Sequence, residues 1–275
     1  MSNKQIILVT GASSGIGLAI ARQLASDGHQ VFGTSRSPKQ NHSEPFTFVQ
    51  LDVTDAESVQ SSIQSVMDRT DHIDVLVNNA GYDLYGEAEA TTFDEMFKQV
   101  DTNFFGGVRM MQAIMPIMRE QKNGKIINIS SIGGHIALPF NSAYSASKFA
   151  LEGYTESMRY ELLQYNIYAS LVIASGVRTD TLDHSIQNIA DTASPYATQR
   201  QAMIAQMREL SSTSSLLPQD IAKTISKIIR TKSPRLRYTV GQQATMLKSL
   251  KSLLPQWVFE QIILSQFNIK TKANL

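Results

Sequence analysis

Short apolar runs alternate along the chain with stretches whose apolar positions recur every three or four places. Ile6, Ile7, Leu8 and Val9 run together within 5–10 and are followed by turn chemistry, the pattern of a strand buried on both faces. Ile16, Ile20 and Leu24 then fall on one stripe, which predicts a helix over 16–26. The alternation continues. Strands are expected at 30–34, 46–51, 73–77, 125–129, 167–173 and 236–240. Helices are expected at 55–69 with Thr54 as N-cap, at 142–164 and at 218–229. Residues 93–121 read as two helical segments, with Gly106 and Gly107 inside the second, and 38–45 as a polar loop.

Strand and helix in regular succession predict an α/β fold, a doubly wound parallel sheet with helices on both faces. No solenoid repeat or linker interrupts it, so 1–275 is expected to form a single domain. Residues 181–215 are rich in Ser, Thr, Ala and Gln, with Pro195 inside and a helical piece at 199–210. They are expected to form a helical lid. The stretch 242–275 reads as a C-terminal helical extension broken at Pro255. Leu247, Leu250, Leu254, Val258, Ile262 and Phe267 give it an apolar face.

Composition narrows the function. Of 275 residues 42% are hydrophobic, enough for a sizeable core and too many for disorder. The net charge of +1 gives no electrostatic basis for holding nucleic acid. There is no cysteine, which removes disulfides, thiol catalysis and thiolate metal sites and fits a reducing compartment. The N-terminal apolar run is too short for a signal-peptide core, and no apolar stretch is long enough to span a bilayer. The expected location is cytoplasmic. Five histidines at no ligand-like spacing argue for no metal.

Candidate chemistry falls at two places. Ligands of open α/β sheets bind beyond the carboxyl ends of the strands, where the loop from Gly11 to Gly17 lies. Its glycines permit positive φ and close approach of a diphosphate, and the next helix offers free N–H groups. The second place is the helix at 142–164. Tyr144 and Lys148 are four apart and share one face. A free phenol has a pKa of about 10. A neighbouring cation favours the phenolate, and a tuned phenol exchanges a proton with a carbonyl or alcohol. After the second strand the chain reads Gly33-Thr34-Ser35-Arg36-Ser37, with no acid for ribose hydroxyls. Arg36 and Ser35 instead suit a 2′-phosphate, which favours NADP over NAD.

Thr10 with Gly11-x-x-x-Gly15-x-Gly17, Asn78-Asn79-Ala80-Gly81 after the fourth strand, and Tyr144-x-x-x-Lys148 occur in the order of the short-chain dehydrogenase/reductase family, which the chain resembles over about 4–179. The resemblance implies a Rossmann-type sheet and assigns roles. Tyr144 is the general acid/base. Lys148 lowers its pKa and binds the nicotinamide ribose. Ser131 polarises the substrate oxygen, with Ser130 the less favoured neighbour, and Asn103 holds a proton-relay water. Gly11, Ser13, Ser14, Gly15, Ile16 and Gly17 take the diphosphate. Asp52 and Val53 meet the adenine, and Asn79, Ala80 and Gly81 border the adenosine ribose. Val177 and Thr179 contact the cofactor near the nicotinamide.

Two departures from the family accompany the resemblance. Many NADP-using relatives carry a basic residue inside the glycine loop, where this chain has Ser13 and Ser14. Relatives place Pro-Gly where this chain has Ala174-Ser175, and Ser175 takes positive φ less freely than glycine. The segment 132–141 should line the substrate pocket, with His135 able to touch substrate. The extension is similar to that of the subgroup acting on steroids and retinoids, and either closes the pocket, forms a subunit contact, packs on its own domain or lies on a membrane through Lys248 and Lys251. The family implies a homodimer or homotetramer. The resulting expectation is an NADP-dependent oxidoreductase interconverting an alcohol and a ketone or aldehyde on an apolar substrate. A non-catalytic NADP-binding sensor or scaffold, and an epimerase or dehydratase on the same scaffold, are the alternatives.

Overall fold

The computed structural model describes residues 4–37, 43–178, 186–188, 194–267 and 269. Its strands are β1 (Ile6–Val9), β2 (Gln30–Ser35), β3 (Thr47–Gln50), β4 (Val75–Asn78), β5 (Asp83–Tyr85), β6 (Gly124–Ser131), β7 (Ile167–Ala174), β8 (Ile186–Asn188) and β9 (Arg237–Val240). The helices are α1 (Gly15–Ser26), α2 (Ala56–Met67), α3 (Phe93–Val100), α4 (Gly106–Gln121), α5 (Ser142–Leu162), α6 (Ala197–Thr213), α7 (Pro218–Arg230), α8 (Gln242–Leu253) and α9 (Gln256–Gln266).

Seven strands form one parallel sheet in the order β3-β2-β1-β4-β6-β7-β9. The order reverses between β1 and β4, and the crevice at such a reversal is where open α/β sheets bind ligands. Successive residues of a strand face opposite layers. Accordingly Leu8, Leu76 and Ile126 pack with Val59 and Ile63 of α2, Met111 and Ile114 of α4 and Leu151 and Met158 of α5. Ile7, Val75 and Ile127 pack with Ile20 and Leu24 of α1 and Ile221 and Ile225 of α7. Burying each such side chain contributes about 1.5–3 kcal/mol. Two-sided burial is why these strands read as continuous apolar runs.

Three local features differ from the sequence reading. The cap of α2 is Asp55, not Thr54: Asp55 accepts from the N–H of Glu57 at 2.9 Å and of Ser58 at 3.3 Å. Asp52 takes the N–H and hydroxyl of Thr54 at 2.9 and 2.7 Å, so Thr54 belongs to the preceding turn. The two helical segments expected at 93–121 are present as α3 and α4, but a π-helical turn at Asp101–Phe105 joins them without a break, and Gly106 begins the second. Finally, β5 and β8 form a small parallel pair above the main sheet that no periodicity signalled. Among the described residues no helix is long and apolar enough to cross a membrane.

Candidate active site

A cleft of about 880 Å³ opens at the carboxyl ends of β1, β4 and β6. At one end lies the glycine loop. Gly11 and Gly15 have φ of +66° and +54°, a region L side chains rarely enter. Gly17 opens no wall of the cleft; it lies behind the loop, where a Cβ would stand 2.1 Å from the Gly11 carbonyl oxygen. Gly11, Ser13, Ser14, Gly15 and Ile16 do line the cleft. Asn79, Ala80 and Gly81 line the wall directly beside them, and the Asn79 side chain is structural. Its Nδ2 donates to the carbonyls of Thr10 and Gly11 at 3.0 and 3.1 Å. The Thr10 hydroxyl accepts from the N–H of Asn79 and Ala80 at 2.9 and 3.0 Å. The ends of β1 and β4 are thereby cross-linked beside the loop.

Further along, Ser35 ends β2, and Arg36, Asp52 and Val53 line the cleft with it. Arg36 is exposed and forms no ion pair among the described residues. Asp52 is held below the ordinary carboxyl value, chiefly by the Thr54 hydroxyl, with Arg36 and Arg109 as more distant cations.

At the other end three elements bring Asn103, Ser131, Tyr144 and Lys148 together. Ser131 ends β6, and its hydroxyl accepts from the Gly133 N–H at 3.1 Å. Tyr144 lies in the first turn of α5 beside Gly133, whose missing Cβ would sit 3.0 Å from the ring. Its hydroxyl interacts with Ser131 and with the carboxyl of Asp83. Lys148 Nζ lies 5.7 Å from the Tyr144 ring centre and donates to the Ile129 carbonyl at 3.0 Å. Asn103 sits in the π turn. Its Oδ1 accepts from Tyr82 N–H at 3.0 Å and its Nδ2 donates to Tyr82 C=O at 2.9 Å, fixing the turn that follows Gly81.

Electrostatics correct one expectation. Burial pushes the Tyr144 phenol well above its ordinary value, and the Asp83 carboxylate adds to this while Ser131 opposes it. The predicted lowering by Lys148 is absent because burial dominates and the charge acting on the phenol is an anion. Lys148 itself is lowered to about 8, again by burial, against the pull of Asp83 and Glu152. Asp83 is raised to about 6 by burial, with Lys148 and the Tyr144 hydroxyl opposing. Tyr85, beside it, is also pushed up by burial.

Sequence reasoning missed two acids. Asp83 follows the Gly81 turn directly, and its signal was an acid two places after the Asn-Asn-Ala-Gly run. Glu152, one turn beyond Lys148, is buried and accepts from the Ser130 hydroxyl at 2.8 Å. It also faces His135 Nδ1 at 3.0 Å and Arg237 Nε at 3.3 Å. Ser130 thus serves Glu152, and His135 does not line the cleft but turns its ring to the same carboxylate.

The substrate side is walled by Ile136 and Leu138 of the loop, Met207 and Leu210 of α6, Leu247 of α8 and Ile263 of α9, with Phe267 after them. The extension therefore packs on its own domain and borders the pocket. Lys251 is tied to the His135 carbonyl and lies over Phe149. Above this wall Arg200 of α6 pairs with Glu87 at 2.7 Å, both buried, and the Ser194 hydroxyl joins them at 2.7 Å. After β7 the positive φ falls on Gly176, at +60°, so Ser175 is spared that conformation. Val177 lines the cleft and its carbonyl accepts from Ser211 at 3.0 Å. Thr179, with 181–185 and 189–193 of the expected lid, lies outside the described residues.

Comparison with known proteins agrees with this architecture. A family model described as short chain dehydrogenase matches residues 5–190. A 3-ketodihydrosphingosine reductase of Bacteroides thetaiotaomicron is 39% identical over 91% of this chain and 93% of its own. Retinol dehydrogenase 8 of Bos taurus is 36% identical over 90% of this chain and 85% of its own. Among solved structures, a short-chain dehydrogenase from Streptomyces avermitilis superposes with a TM-score of 0.83 at 29% identity, covering 98% of this chain and 97% of that one.

Proposed function

The chain belongs to the short-chain dehydrogenase/reductase family and is an NAD(P)-dependent oxidoreductase; from that premise we propose that it interconverts an alcohol and a ketone or aldehyde on an apolar substrate, with NADP(H) as its cofactor. The carrying observation is the convergence of Ser131, Tyr144 and Lys148 at one end of a cleft whose other end is the glycine loop. The residues present fit a dinucleotide, since Gly11 and Gly15 take positive φ where they line the cleft and Gly15 begins α1, whose first N–H groups suit a diphosphate. NADP, when bound, supplies or accepts the hydride.

Gly11 to Ile16 would hold the diphosphate, and Arg36 with Ser35 a 2′-phosphate. Asp52 and Val53 would border the adenine, Asn79 to Gly81 the ribose, and Val177, with Thr179 as the family resemblance implies, the nicotinamide. In reduction Tyr144 gives its proton to the carbonyl oxygen, while the Ser131 hydroxyl donates a hydrogen bond to the same oxygen. A phenol held protonated by burial is suited to that donor role. Lys148 orients the nicotinamide ribose and supplies positive charge. Asn103 positions the Gly81 to Asp83 turn through both groups of its amide, and its part in catalysis is indirect.

The wall from Ile136 to Phe267 supports an apolar substrate, as do relatives named for a ketodihydrosphingosine and a retinol. Exposed Phe93, Phe97, Phe105 and Phe149 on α3 to α5 support assembly into a homo-oligomer. The test is loss of NADPH absorbance at 340 nm against a panel of apolar ketones and aldehydes, repeated with NADH. Turnover with NADPH preferred is expected. Tight NADPH binding without turnover of any carbonyl would instead identify a dinucleotide sensor.

A further inference from the structure

Ser131 owes its place to a short turn that α5 grips at two points. Tyr144, Lys148 and Glu152 are spaced four apart and share one face of that helix. Ser131 caps a 3-10 turn at Ile132–Gly134, and its hydroxyl accepts from the Gly133 N–H at 3.1 Å. The middle of the turn, at Gly133, lies against the Tyr144 ring. At its end a Cβ on Gly134 would stand 2.9 Å from Glu152 Oε1, 3.0 Å from Ser130 Oγ and 3.1 Å from the Lys148 carbonyl oxygen. The turn that carries the serine is thus seated between the phenol ring and a carboxylate.

Both oxygens of that carboxylate are engaged. Oε1 accepts from the Ser130 hydroxyl at 2.8 Å and faces His135 Nδ1 at 3.0 Å, while Oε2 faces Arg237 Nε at 3.3 Å. Ser130 precedes Ser131 and His135 follows Gly134, so one carboxylate holds the chain on both sides of the turn. Arg237 also pairs with Glu156 at 2.7 Å, which anchors the far side of the cluster to β9. Glu152 and Ser130 are both buried, where a hydrogen bond is stronger than in water. Glu152 does not line the cleft. A buried anion with no place at the reacting atoms is costly to keep, and two of its three partners belong to the segment that presents Ser131.

We propose that Glu152 is a positioning residue for the reaction: through Ser130 and His135 it fixes the turn after Ser131, so that the Ser131 and Tyr144 hydroxyls meet at one substrate oxygen. The inference rests on the oxidoreductase reading and adds to it a residue that exchanges no proton and touches no reactant. Two donors that converge on one oxygen work only when correctly placed, and a misplacement of about 1 Å costs on the order of 100-fold in rate. Loss of Glu152 therefore acts on kcat. The glycine loop belongs to another segment of the chain, so dinucleotide binding is left nearly unchanged.

The test uses the full-length protein with saturating coenzyme and a ketone or aldehyde that wild type reduces, below the melting temperature of every variant. Glu152→Ala should lower kcat by about tenfold or more, with the NADPH dissociation constant changed less than about twofold. Ser130→Ala should also lower kcat, and the double variant should be no slower than Glu152→Ala, since both changes remove one contact. Glu152→Gln keeps an acceptor at the same reach and should regain part of the loss. An unmoved kcat in folded Glu152→Ala overturns the proposal, because a carboxylate serving stability alone would shift only the melting temperature. Losses that multiply in the double variant overturn it too, as does a loss confined to NADPH binding or a Glu152→Gln no better than Glu152→Ala. If Glu152→Ala fails to fold, Ser130→Ala decides, and a wild-type kcat there overturns the proposal. These outcomes remove only this inference. No turnover of any carbonyl by wild type removes the oxidoreductase reading, and this inference with it.

Discussion

Gly17 stands so close beneath Gly11 that a Cβ on it would lie 2.1 Å from the Gly11 carbonyl oxygen and 2.5 Å from Asn79 Nδ2. Both atoms are fixed, one in backbone and one in the bridge to Thr10. Gly17→Ala is therefore expected to displace the loop, with a stability loss of roughly 1–3 kcal/mol and weakened dinucleotide binding. Urea melts and NADPH fluorescence titration check this. A variant matching wild type in both would mean that the loop yields without cost.

Tyr144→Phe removes the proton donor but leaves the ring against Gly133. Turnover should fall by roughly two to four orders of magnitude, with the NADPH dissociation constant nearly unchanged. Near-normal turnover would take the phenol out of the mechanism.

Arg36 is exposed at the end of β2 with no competing ion pair among the described residues. Arg36→Asp should lower the NADP/NAD ratio of kcat/KM by about tenfold or more, since it trades a charge-assisted contact for repulsion of the phosphate. An unchanged ratio would show that Arg36 belongs to the solvated surface.

Half-buried Asp83 and buried Lys148, the two charges near the phenol, give opposite pH signatures. Asp83 has a folded value of about 6, above the ordinary 3.8, so its penalty grows as pH rises from about 4 to 6 and is constant above. Lys148 has a folded value of about 8, below the ordinary 10.5, so its penalty is full below about 8 and fades as pH climbs towards 10.5. Asp83→Asn should stabilise the fold near pH 7 by on the order of 1–2 kcal/mol and add nothing near pH 4. The gain is less than the full shift because Asp83 also supports the charge on Lys148. Melting temperatures across this range test the sign, and a gain independent of pH would refute it.

The Glu87–Arg200 pair lies between the β5 region and α6, with both side chains at most 4% exposed. Arg200→Met leaves a buried carboxylate and should destabilise by about 3–5 kcal/mol, with a raised KM as α6 loosens. The double variant Glu87→Gln/Arg200→Met should recover much of that loss. Double-mutant melts measure the coupling, and additive losses would argue against a direct pair.

The sheet was legible because buried parallel strands write themselves as uninterrupted apolar runs, and Ile6 to Val9 or Ile126 and Ile127 have no other reading. The cleft lining was legible from Gly11, Gly15, Ser131, Tyr144 and Lys148 in family order. Features set by tertiary contact were not. Asp55 displaced Thr54 as cap because Asp52 had already captured the threonine. Gly176 carries the positive φ that seemed to be demanded of Ser175. The π turn at Asn103 has no periodic signature, and β5 is only three residues long. The direction of the Tyr144 shift is set chiefly by burial, to which Asp83 adds, and pattern alone shows neither.

Arg237 of β9 holds Glu152 at 3.3 Å and Glu156 at 2.7 Å, and Arg159 of α5 reaches the Pro234 carbonyl at 2.7 Å. Every other strand of the main sheet precedes β9 in the chain. The last strand of the sheet to be synthesised is thus the one that clamps the helix bearing Tyr144.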